Sequence, residues 1–309
     1  MKLQSLLNKF SSRNKAISAL ASAGVLIGII TLFATSHQAN SQDFNTNHTK
    51  TFFEEGDFYR GIKEKNLFTL DMPIYGGILP HHLIPSDGLN TYFSQLQKQN
   101  PKRIILISPN HFLRGNTNFI TSPYGYNTPF GSVHIDQDLY KKITDASAPT
   151  EQKLDISRND EAMNMEHGIG NLTAYIRYYL PKTTIMPIAV MPTTTSQQID
   201  NLVAKIAPLI DRDTIFLASI DFSHYLPAEI AAQKDETTWK LIQERDYNRI
   251  LNLNNNDYLD TPPSLVTMLK TMERIGAKNM KQLYHNNSGF IMHDMTMPTT
   301  SYFMLSFTK

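Results

Sequence analysis

Strand-length apolar runs that alternate with amphipathic helical patterns most limit the possible folds of this 309-residue chain. The clearest strands are predicted at residues 75–79, 103–108, 185–190 and 214–220, with a last one at 300–307. Helices are predicted at residues 88–99, 137–145, 167–180, 197–211, 228–251 and 263–276, the fourth capped by Ser196. This alternation favours an α/β fold, with a largely parallel or mixed sheet and helices on both faces.

Histidines follow three of the four clearest strands. His81 and His82 follow the first strand, His111 follows the second, and Asp221-Phe-Ser-His224 follows the fourth. Ligands of open α/β sheets bind beyond the carboxyl ends of the strands, so we expect these side chains to meet at one edge. A single histidine there more often has a structural role, but several of the ten in the chain converging together indicate a site.

These residue types suit a metal site. Neutral imidazole is the commonest protein ligand for transition metals, and two histidines with one carboxylate leave coordination positions open. Asp221 and Glu166 are carboxylates that stand near histidines in the chain. Each also has a structural alternative: Glu166 is favoured at a helix N-terminus by the helix dipole, and Asp221 can orient a neighbouring imidazole or amide.

Several other chemistries are excluded. The chain has no cysteine, which rules out a disulfide framework, a thiol nucleophile, a cysteine-ligated zinc and an iron–sulfur cluster. Its 29 basic and 28 acidic residues give no basic field for nucleic acid. No phosphate-loop, dinucleotide or nucleophile-elbow motif is present. Ser223 and His224 do not suit a nucleophile–base pair, because adjacent strand residues point to opposite faces.

The first 42 residues differ from the rest of the chain. A basic flank precedes an uncharged apolar run at residues 16–36, which approaches the ~20 residues needed to cross a bilayer. This pattern predicts a signal anchor over residues 1–42 that holds the body outside the cytoplasm at the cell membrane. The alternative is a cleavable signal peptide and a secreted protein. Residues 43–69 are predicted as a tether, and residues 70–309 as one α/β domain.

An ordered series of motifs covers this domain: GGILPHH (76–82), ILISPNHF (105–112), TPFGSVHID (128–136), EHGIGNLTAYI (166–176), PIAVMP (187–192) and IDFSHYL (220–226). Each motif is weak alone, but the order and spacing together are specific. The series resembles the Memo family, known in bacteria and archaea as AmmeMemoRadiSam system protein B. That family is similar in fold to the class III extradiol ring-cleaving dioxygenases.

The resemblance implies that His81 and His111 are metal ligands. It assigns the third ligand to an Asp-Phe-Cys-His motif in which this chain has Ser223, a poor substitute for a thiolate. We therefore expect the third donor to be His224, with Asp221 as the alternative, or else Glu166. His167 or His224 would act as the acid or base, and His82, Glu166 and Ser223 would line the pocket.

The chain also departs from the family at other positions. Gly170 and Leu172 stand where members often have a glutamate and a histidine, which removes two polar groups from the pocket. Asp260-Thr-Pro-Pro263 stands where a Cys-Gly segment usually precedes the late helix. If the pocket is catalytic in the family, we expect this chain to have a lower activity or to catalyse a different reaction.

Together these features predict an exported, membrane-tethered Memo-like protein with a histidine-based metal site. For an enzyme, the resemblance implies an oxidoreductase of dioxygenase type that uses Fe(II), with zinc or copper as alternative metals. A non-catalytic metal- or peptide-binding module is the rival function, and the two lost polar groups favour it. A metal-assisted hydrolase is a third possibility. The expected partners are a small molecule or peptide and the membrane, with no nucleic acid.

Overall fold

The computed structural model describes residues 47–49, 52–64, 66–145, 154–253 and 257–309. Within these ranges, the segment from Asn47 to Lys309 forms one compact unit. The predicted signal segment at residues 1–42 and the start of the tether lie outside the described residues. No helix among the described residues is long and apolar enough to cross a membrane.

The described residues form short helices and strands that alternate for most of the chain. The strands are β1 (Gly76–Leu79), β2 (Arg103–Pro109), β3 (Phe119–Thr121), β4 (Tyr126–Thr128), β5 (Gly131–Val133), β6 (Ile156–Arg158), β7 (Thr184–Val190), β8 (Thr214–Ser219), β9 (His224–Leu226), β10 (Asn279–Asn287) and β11 (Thr299–Thr308). The helices are α1 (Glu55–Glu64), α2 (Ser86–Leu96), α3 (Gln137–Thr144), α4 (Asp160–Met165), α5 (His167–Tyr179), α6 (Ser196–Ile206), α7 (Ala228–Glu244), α8 (Tyr247–Leu251), α9 (Pro262–Arg274) and α10 (Ser288–Met292).

A mixed sheet forms the centre of the domain. Its strands lie in the order β10-β11-β1-β8-β2-β7-β3-β6, and β9 pairs with β11. The central strands β1, β8, β2 and β7 are parallel, whereas β11 is antiparallel to β1 and β3 is antiparallel to β7. Strands β4 and β5 form a separate hairpin. The predicted fold class, a mixed and mostly parallel α/β sheet, is confirmed.

Each face of the sheet carries its own apolar core. Along β2, Ile105 and Ile107 join one cluster with residues of α3, α6, α7 and α9. The alternate residues Ile104 and Leu106 join the other cluster, with residues of α1, α2 and α5. Successive side chains on a strand point to opposite faces, so a strand apolar at every position must be covered on both sides.

Two predicted helix boundaries need correction. Helix α6 is capped by Thr195 rather than Ser196, because the Thr195 hydroxyl and the Gln198 side chain form a reciprocal capping box. The helix predicted at residues 228–251 is interrupted at Arg245, which adopts a left-handed φ of 53° and ends α7. Asp246 then caps α8 by accepting a hydrogen bond from the Arg249 amide.

The described part of the predicted tether is docked on the domain. The His48 amide donates to the Gly125 carbonyl at 2.7 Å, which places this segment beside the β4–β5 hairpin. In α1, Phe58 is only 1% exposed, and its ring packs against those of Phe53, Phe130 and Tyr175. The polar, aperiodic sequence of residues 37–55 predicts a tether, but the aromatic side chains of Phe53 and Phe58 pack against the domain.

We predict that Phe58→Ala lowers the free energy of unfolding by about 3–5 kcal/mol, the usual cost of deleting a buried aromatic ring. The neighbouring Tyr59 is 43% exposed, so Tyr59→Ala is the matched control and should have a much smaller effect. Urea denaturation of both variants measures the difference. Equal, small losses for the two variants would mean that α1 does not belong to the folded unit.

Candidate metal centre

The carboxyl ends of the parallel strands bring three predicted site residues together. His81 follows β1, His111 follows β2, and Asp221 follows β8, the strand between them. The ring centroids of His81 and His111 are 4.9 Å apart, and His167, at the start of α5, lies 4.0 Å from His111. One ring nitrogen from each of the three histidines lies within 4.8 Å of the others, so this group could hold a metal ion.

His81 is held in the tautomer that leaves Nε2 free to bind a metal. The Ser219 hydroxyl donates to the Gly168 carbonyl at 2.5 Å, so the lone pair of that hydroxyl faces His81 Nδ1 at 3.1 Å. Nδ1 must therefore carry the hydrogen, which leaves the lone pair on Nε2. Burial lowers the pKa of His81 well below its ordinary value, and the neighbouring imidazoles add to this, so the ring is neutral.

His111 is oriented by a buried carboxylate. Glu166 is 1% exposed and accepts the His111 ring Nδ1–H at 2.6 Å, the His111 amide at 2.9 Å and the Gly168 amide at 2.8 Å. These bonds leave His111 Nε2 as the free ring nitrogen, as in carboxylate–histidine–metal arrangements. Glu166 also caps α5, so the structural role expected for it and a role in orienting a ligand coincide.

Two buried aspartates approach the free nitrogens. The Oδ2 atoms of Asp221 and Asp260 each lie 3.4 Å from His81 Nε2, and Asp260 Oδ2 lies 3.8 Å from His111 Nε2. The Asp221 amide donates to Asp260 Oδ2 at 3.2 Å, while Asp260 Oδ1 is buried with no hydrogen-bond partner. Burial raises the pKa of Asp221; for Asp260, burial and then the charge of Asp221 raise the pKa well above its ordinary value.

This arrangement fits a divalent cation. The separations of 3.4–3.8 Å are longer than good hydrogen bonds. Ligands at ~2.0–2.2 Å from one metal lie roughly 3.0–3.5 Å from each other, which is close to the spacing here. Imidazole lone pairs facing carboxylate oxygens also repel unless a cation or proton lies between them. His81, His111 and His167 therefore form a group that could hold a metal ion, and the Asp221 and Asp260 carboxylates, each 3.4 Å from His81 Nε2, lie close enough to be further donors.

His224 and His82 line the same cavity. This cavity, called here the metal cavity, has a volume of about 280 Å³ and is also lined by His81, His111, His167, Asn171, Asp221, Tyr225, Asp260 and Thr300. His224 Nδ1 is buried without a hydrogen-bond partner, and burial lowers the pKa of this histidine. His82 Nδ1 lies 2.6 Å from the Tyr302 hydroxyl. The acid–base roles of His167 and His224 stay predictions.

Ser223, expected in the pocket, lies elsewhere. Its hydroxyl donates to Asp235 Oδ1 at 2.7 Å, on the side of α7. Asp235 is fully buried and also accepts from Ser301 at 2.7 Å and pairs with His285 Nε2 at 2.8 Å. A buried carboxylate needs such donors, and Ser223 supplies one of them instead of facing a metal.

Asp260 is a site residue that the sequence does not predict. It lies in the segment Asp260-Thr-Pro-Pro263, just before α9, where the family's Cys-Gly is absent. Pro262 and Pro263 at the start of that helix do mark a boundary. The contact with the site depends on a long-range pairing: the Asp260 amide donates to the Asp221 carbonyl at 3.1 Å. Local sequence does not reveal this pairing.

Apolar side chains occupy the two other positions at which the chain departs from the family, Gly170 and Leu172. A Cβ at Gly170 would overlap the ring of Phe52, whose centroid lies 6.2 Å from that of His167. Leu172 is fully buried in the core. The space beside Gly170 is thus occupied by Phe52, from the N-terminal segment of the same domain.

Comparison with known proteins finds relatives of one family. A profile of the family described as Memo-like protein matches residues 78–302. A MEMO1 family protein of Methanococcus vannielii is 28% identical over 62% of this chain and 67% of its own length. One from Caldivirga maquilingensis is 25% identical over 74% of this chain and 79% of its own length.

A solved structure supports the fold alone. The crystal structure of an uncharacterized protein from Escherichia coli K12 superposes with a TM-score of 0.50 at 13% sequence identity. The match covers 74% of this chain and 99% of that chain.

We predict that Asp260→Asn stabilises the metal-free protein at pH 8 and weakens metal binding about tenfold or more. A carboxyl whose pKa is raised on folding destabilises the fold increasingly as the pH rises above its unfolded pKa near 4. The amide removes that cost, so the gain in Tm should be larger at pH 8 than at pH 5. Thermal unfolding with a chelator at both pH values measures this gain.

The control for this variant is Asp213→Asn. Asp213 is a half-exposed carboxylate that pairs with Lys102 on the surface. Asp213→Asn removes this surface ion pair, so it should not raise the Tm at either pH. An Asp260→Asn variant that is less stable than the wild type at pH 8 would contradict the electrostatic account of the site.

Proposed function

The chain belongs to the Memo-like protein family, and on that premise we propose that it is a metal-dependent oxidoreductase of dioxygenase type. The proposal rests on one observation: Asp260 Oδ2 lies 3.4 Å from His81 Nε2 and 3.8 Å from His111 Nε2. Two histidines and one carboxylate are the donors of non-haem Fe(II) oxygenases. Fe(II) is therefore the metal that we propose first, with zinc as the alternative.

His81, His111 and Asp260 would hold the ion. A bound Fe(II) supplies a redox-active Lewis acid with coordination positions open to small molecules. Ser219 and Glu166 fix the tautomers of the two histidines before the ion arrives, which reduces the ordering that binding requires. The absence of a thiolate makes Cu(I) a poorer match.

The metal cavity also contains groups for handling a proton. Burial lowers the pKa of His224, and its Nδ1 is buried without a hydrogen-bond partner beside the cavity. Asn171 is fixed by donating its amide to the His81 carbonyl at 2.6 Å, and its Oδ1 is buried without a partner. Buried polar atoms are normally satisfied, so unpartnered ones beside a cavity favour a bound polar molecule there.

Two other functions use the same residues. A metal-assisted hydrolase is favoured by the three histidine nitrogens within 4.8 Å, because three histidines also hold catalytic zinc. A non-catalytic binding module was favoured by the lost polar groups at Gly170 and Leu172. The neutral His224 beside the cavity supports catalysis over simple binding.

We predict that the purified protein binds Fe(II) anaerobically, and that His81→Ala and His111→Ala each reduce the affinity about tenfold or more. His134→Ala is the matched control, because His134 is exposed on the surface and should not affect binding. Metal titration with elemental analysis measures the affinity. Oxygen uptake in the presence of simple catechols, dependent on Fe(II) and absent with zinc, would support the oxidoreductase.

The alternative results are informative. Tight Fe(II) binding without oxygen uptake would favour the binding module, and hydrolysis supported by zinc would favour the hydrolase. If both histidine variants bind the metal as tightly as the wild type, the proposed centre is wrong.

We further propose that the body is exported and held by an N-terminal anchor. The basic flank and the apolar run at residues 16–36 support this. We predict that full-length protein fractionates with the membrane and is digested by protease added outside the cytoplasmic membrane. A soluble mature chain that begins near residues 37–42 would refute the anchor but not the export, and protection from the protease would refute both.

A further inference from the structure

The described residues just before α1 form a strap along the surface of the domain. The strap, residues 47–49 and 52–53, begins on the β4–β5 hairpin, where His48 pairs with Tyr126 as in a parallel sheet. The His48 carbonyl also accepts a hydrogen bond from the Asn127 amide at 3.1 Å. Backbone hydrogen bonds thus hold the start of the strap against the hairpin.

The strap then reaches the helices that lead to the metal site. The Thr49 amide donates to Asn164 Oδ1 at 2.9 Å, near the end of α4. Phe52 lies over the first turn of α5, where its ring fills the space that a Cβ at Gly170 would need. The centroid of that ring lies 6.2 Å from the ring centroid of His167. The strap therefore connects the hairpin to one of the candidate metal donors.

Phe52 also forms part of a cavity wall. A cavity of about 280 Å³, called here the outer cavity, is lined by Phe52 and shares His82 and Asn171 with the metal cavity. Withdrawal of Phe52 would remove one wall of the outer cavity, beside the residues that the two cavities share.

His48 lies where a positive charge is unfavourable. It is 4% exposed, and its ring centroid lies 4.7 Å from that of Tyr126. Its Nε2 atom is buried without a hydrogen-bond partner. A protonated imidazole carries a hydrogen on both nitrogens, so protonation would leave an unpaired N–H as well as a buried charge. Burial accordingly lowers the pKa of His48 to about 4.

The groups that face His48 do not offset this cost. Asp160, at the start of α4, acts in the opposite direction and raises the pKa of His48. However, Asp160 already pairs with Arg158 at 2.6 Å and accepts from Ser122 at 2.8 Å. The Tyr124 ring, whose centroid is 6.2 Å from that of His48, has the Arg158 guanidinium over its face at 4.8 Å. A protonated His48 would therefore lie near a second cation, and the nearby carboxylate is already paired.

We propose that acid releases the strap and that this release opens the outer cavity beside the metal cavity. While His48 is neutral, the strap is docked and Phe52 closes one wall. When His48 takes up a proton, residues 47–49 leave the hairpin and Phe52 leaves with them, whereas α1 stays docked through the buried ring of Phe58. The release involves no candidate metal ligand, so this proposal does not depend on the proposed function.

The direction of the pH dependence follows from the two states of the strap. An exposed histidine has a pKa of ~6.5, so the released strap binds a proton more readily than the docked strap does. Docking is therefore strongest above pH 6.5 and weakens as the pH falls towards 4. From these two pKa values, lowering the pH from 7.5 to 5.0 should shift the docking equilibrium about 30-fold towards release.

Amide hydrogen exchange of the full-length protein at pH 7.5 and 5.0 tests the proposal. After correction for the intrinsic exchange rate at each pH, protection of the His48 and Thr49 amides should fall about 30-fold at pH 5.0. The amides of α1 are the internal reference, because that helix stays docked and should keep its protection. Equal protection of His48 and Thr49 at the two pH values, or an equal loss in α1, would overturn the proposal.

Two substitutions of His48 show whether this residue causes the release. His48→Phe keeps a ring beside Tyr126 but cannot take up a proton, so its strap should be equally protected at both pH values. His48→Leu makes the same test with a smaller side chain. His134→Gln is the matched control: His134 is an exposed histidine that follows β5, and this variant should lose protection at pH 5.0 as the wild type does. A docked Phe or Leu variant that also loses protection at pH 5.0 would refute the role of His48.

Phe52→Ala tests the connection to the outer cavity. If the strap docks as one unit, loss of the ring over Gly170 should weaken docking throughout it. Protection of the His48 and Thr49 amides should then fall at least fivefold at pH 7.5, without a change in α1. Unchanged protection of these two amides would mean that Phe52 moves independently of His48, and the proposed opening of the outer cavity would be wrong.

Discussion

The parallel pairing of β1, β8 and β2 is the constraint on which the candidate site depends. Neighbouring strands in a sheet lie about 4.8 Å apart, so residues just beyond their carboxyl ends are held within reach of each other. His81 and Asp221 are 140 positions apart in the chain, yet the Asp221 carboxylate accepts the His81 amide at 3.1 Å. The two apolar cores pack against both faces of these strands and so hold the start of each following loop in position.

Burying the histidines and carboxylates of the metal cavity destabilises the fold, and hydrogen bonds within the site reduce this loss of stability. Buried carboxylates and imidazoles lose hydration, which raises the pKa of Asp260 and lowers that of His81. Ser219, Glu166 and backbone amides satisfy most of their hydrogen-bonding atoms. The atoms left without a hydrogen-bond partner include Asn171 Oδ1, His224 Nδ1 and Asp260 Oδ1, which belong to residues that line the metal cavity.

The sequence predicts the central strands and most long helices because their periodicity is local. The sequence also predicts that His81 and His111 lie at one edge of the sheet, because the carboxyl ends of parallel strands meet at the same edge. It does not reveal β10, a partly exposed edge strand rich in polar residues, or the docking of α1. Asp260 and Ser223 show the limit most clearly: one reaches the site through a backbone pairing with Asp221, and the other is turned away by buried Asp235.

The donor atoms around the cavity are nitrogen and oxygen alone, in a chain without cysteine. A thiolate ligand is oxidised by peroxide through sulfenic acid to forms that no longer bind metal, and its highest oxidation states are irreversible. A carboxylate at position 260 has no such chemistry. A metal ion bound at this site would therefore be lost and regained under oxidising conditions without covalent damage to that carboxylate.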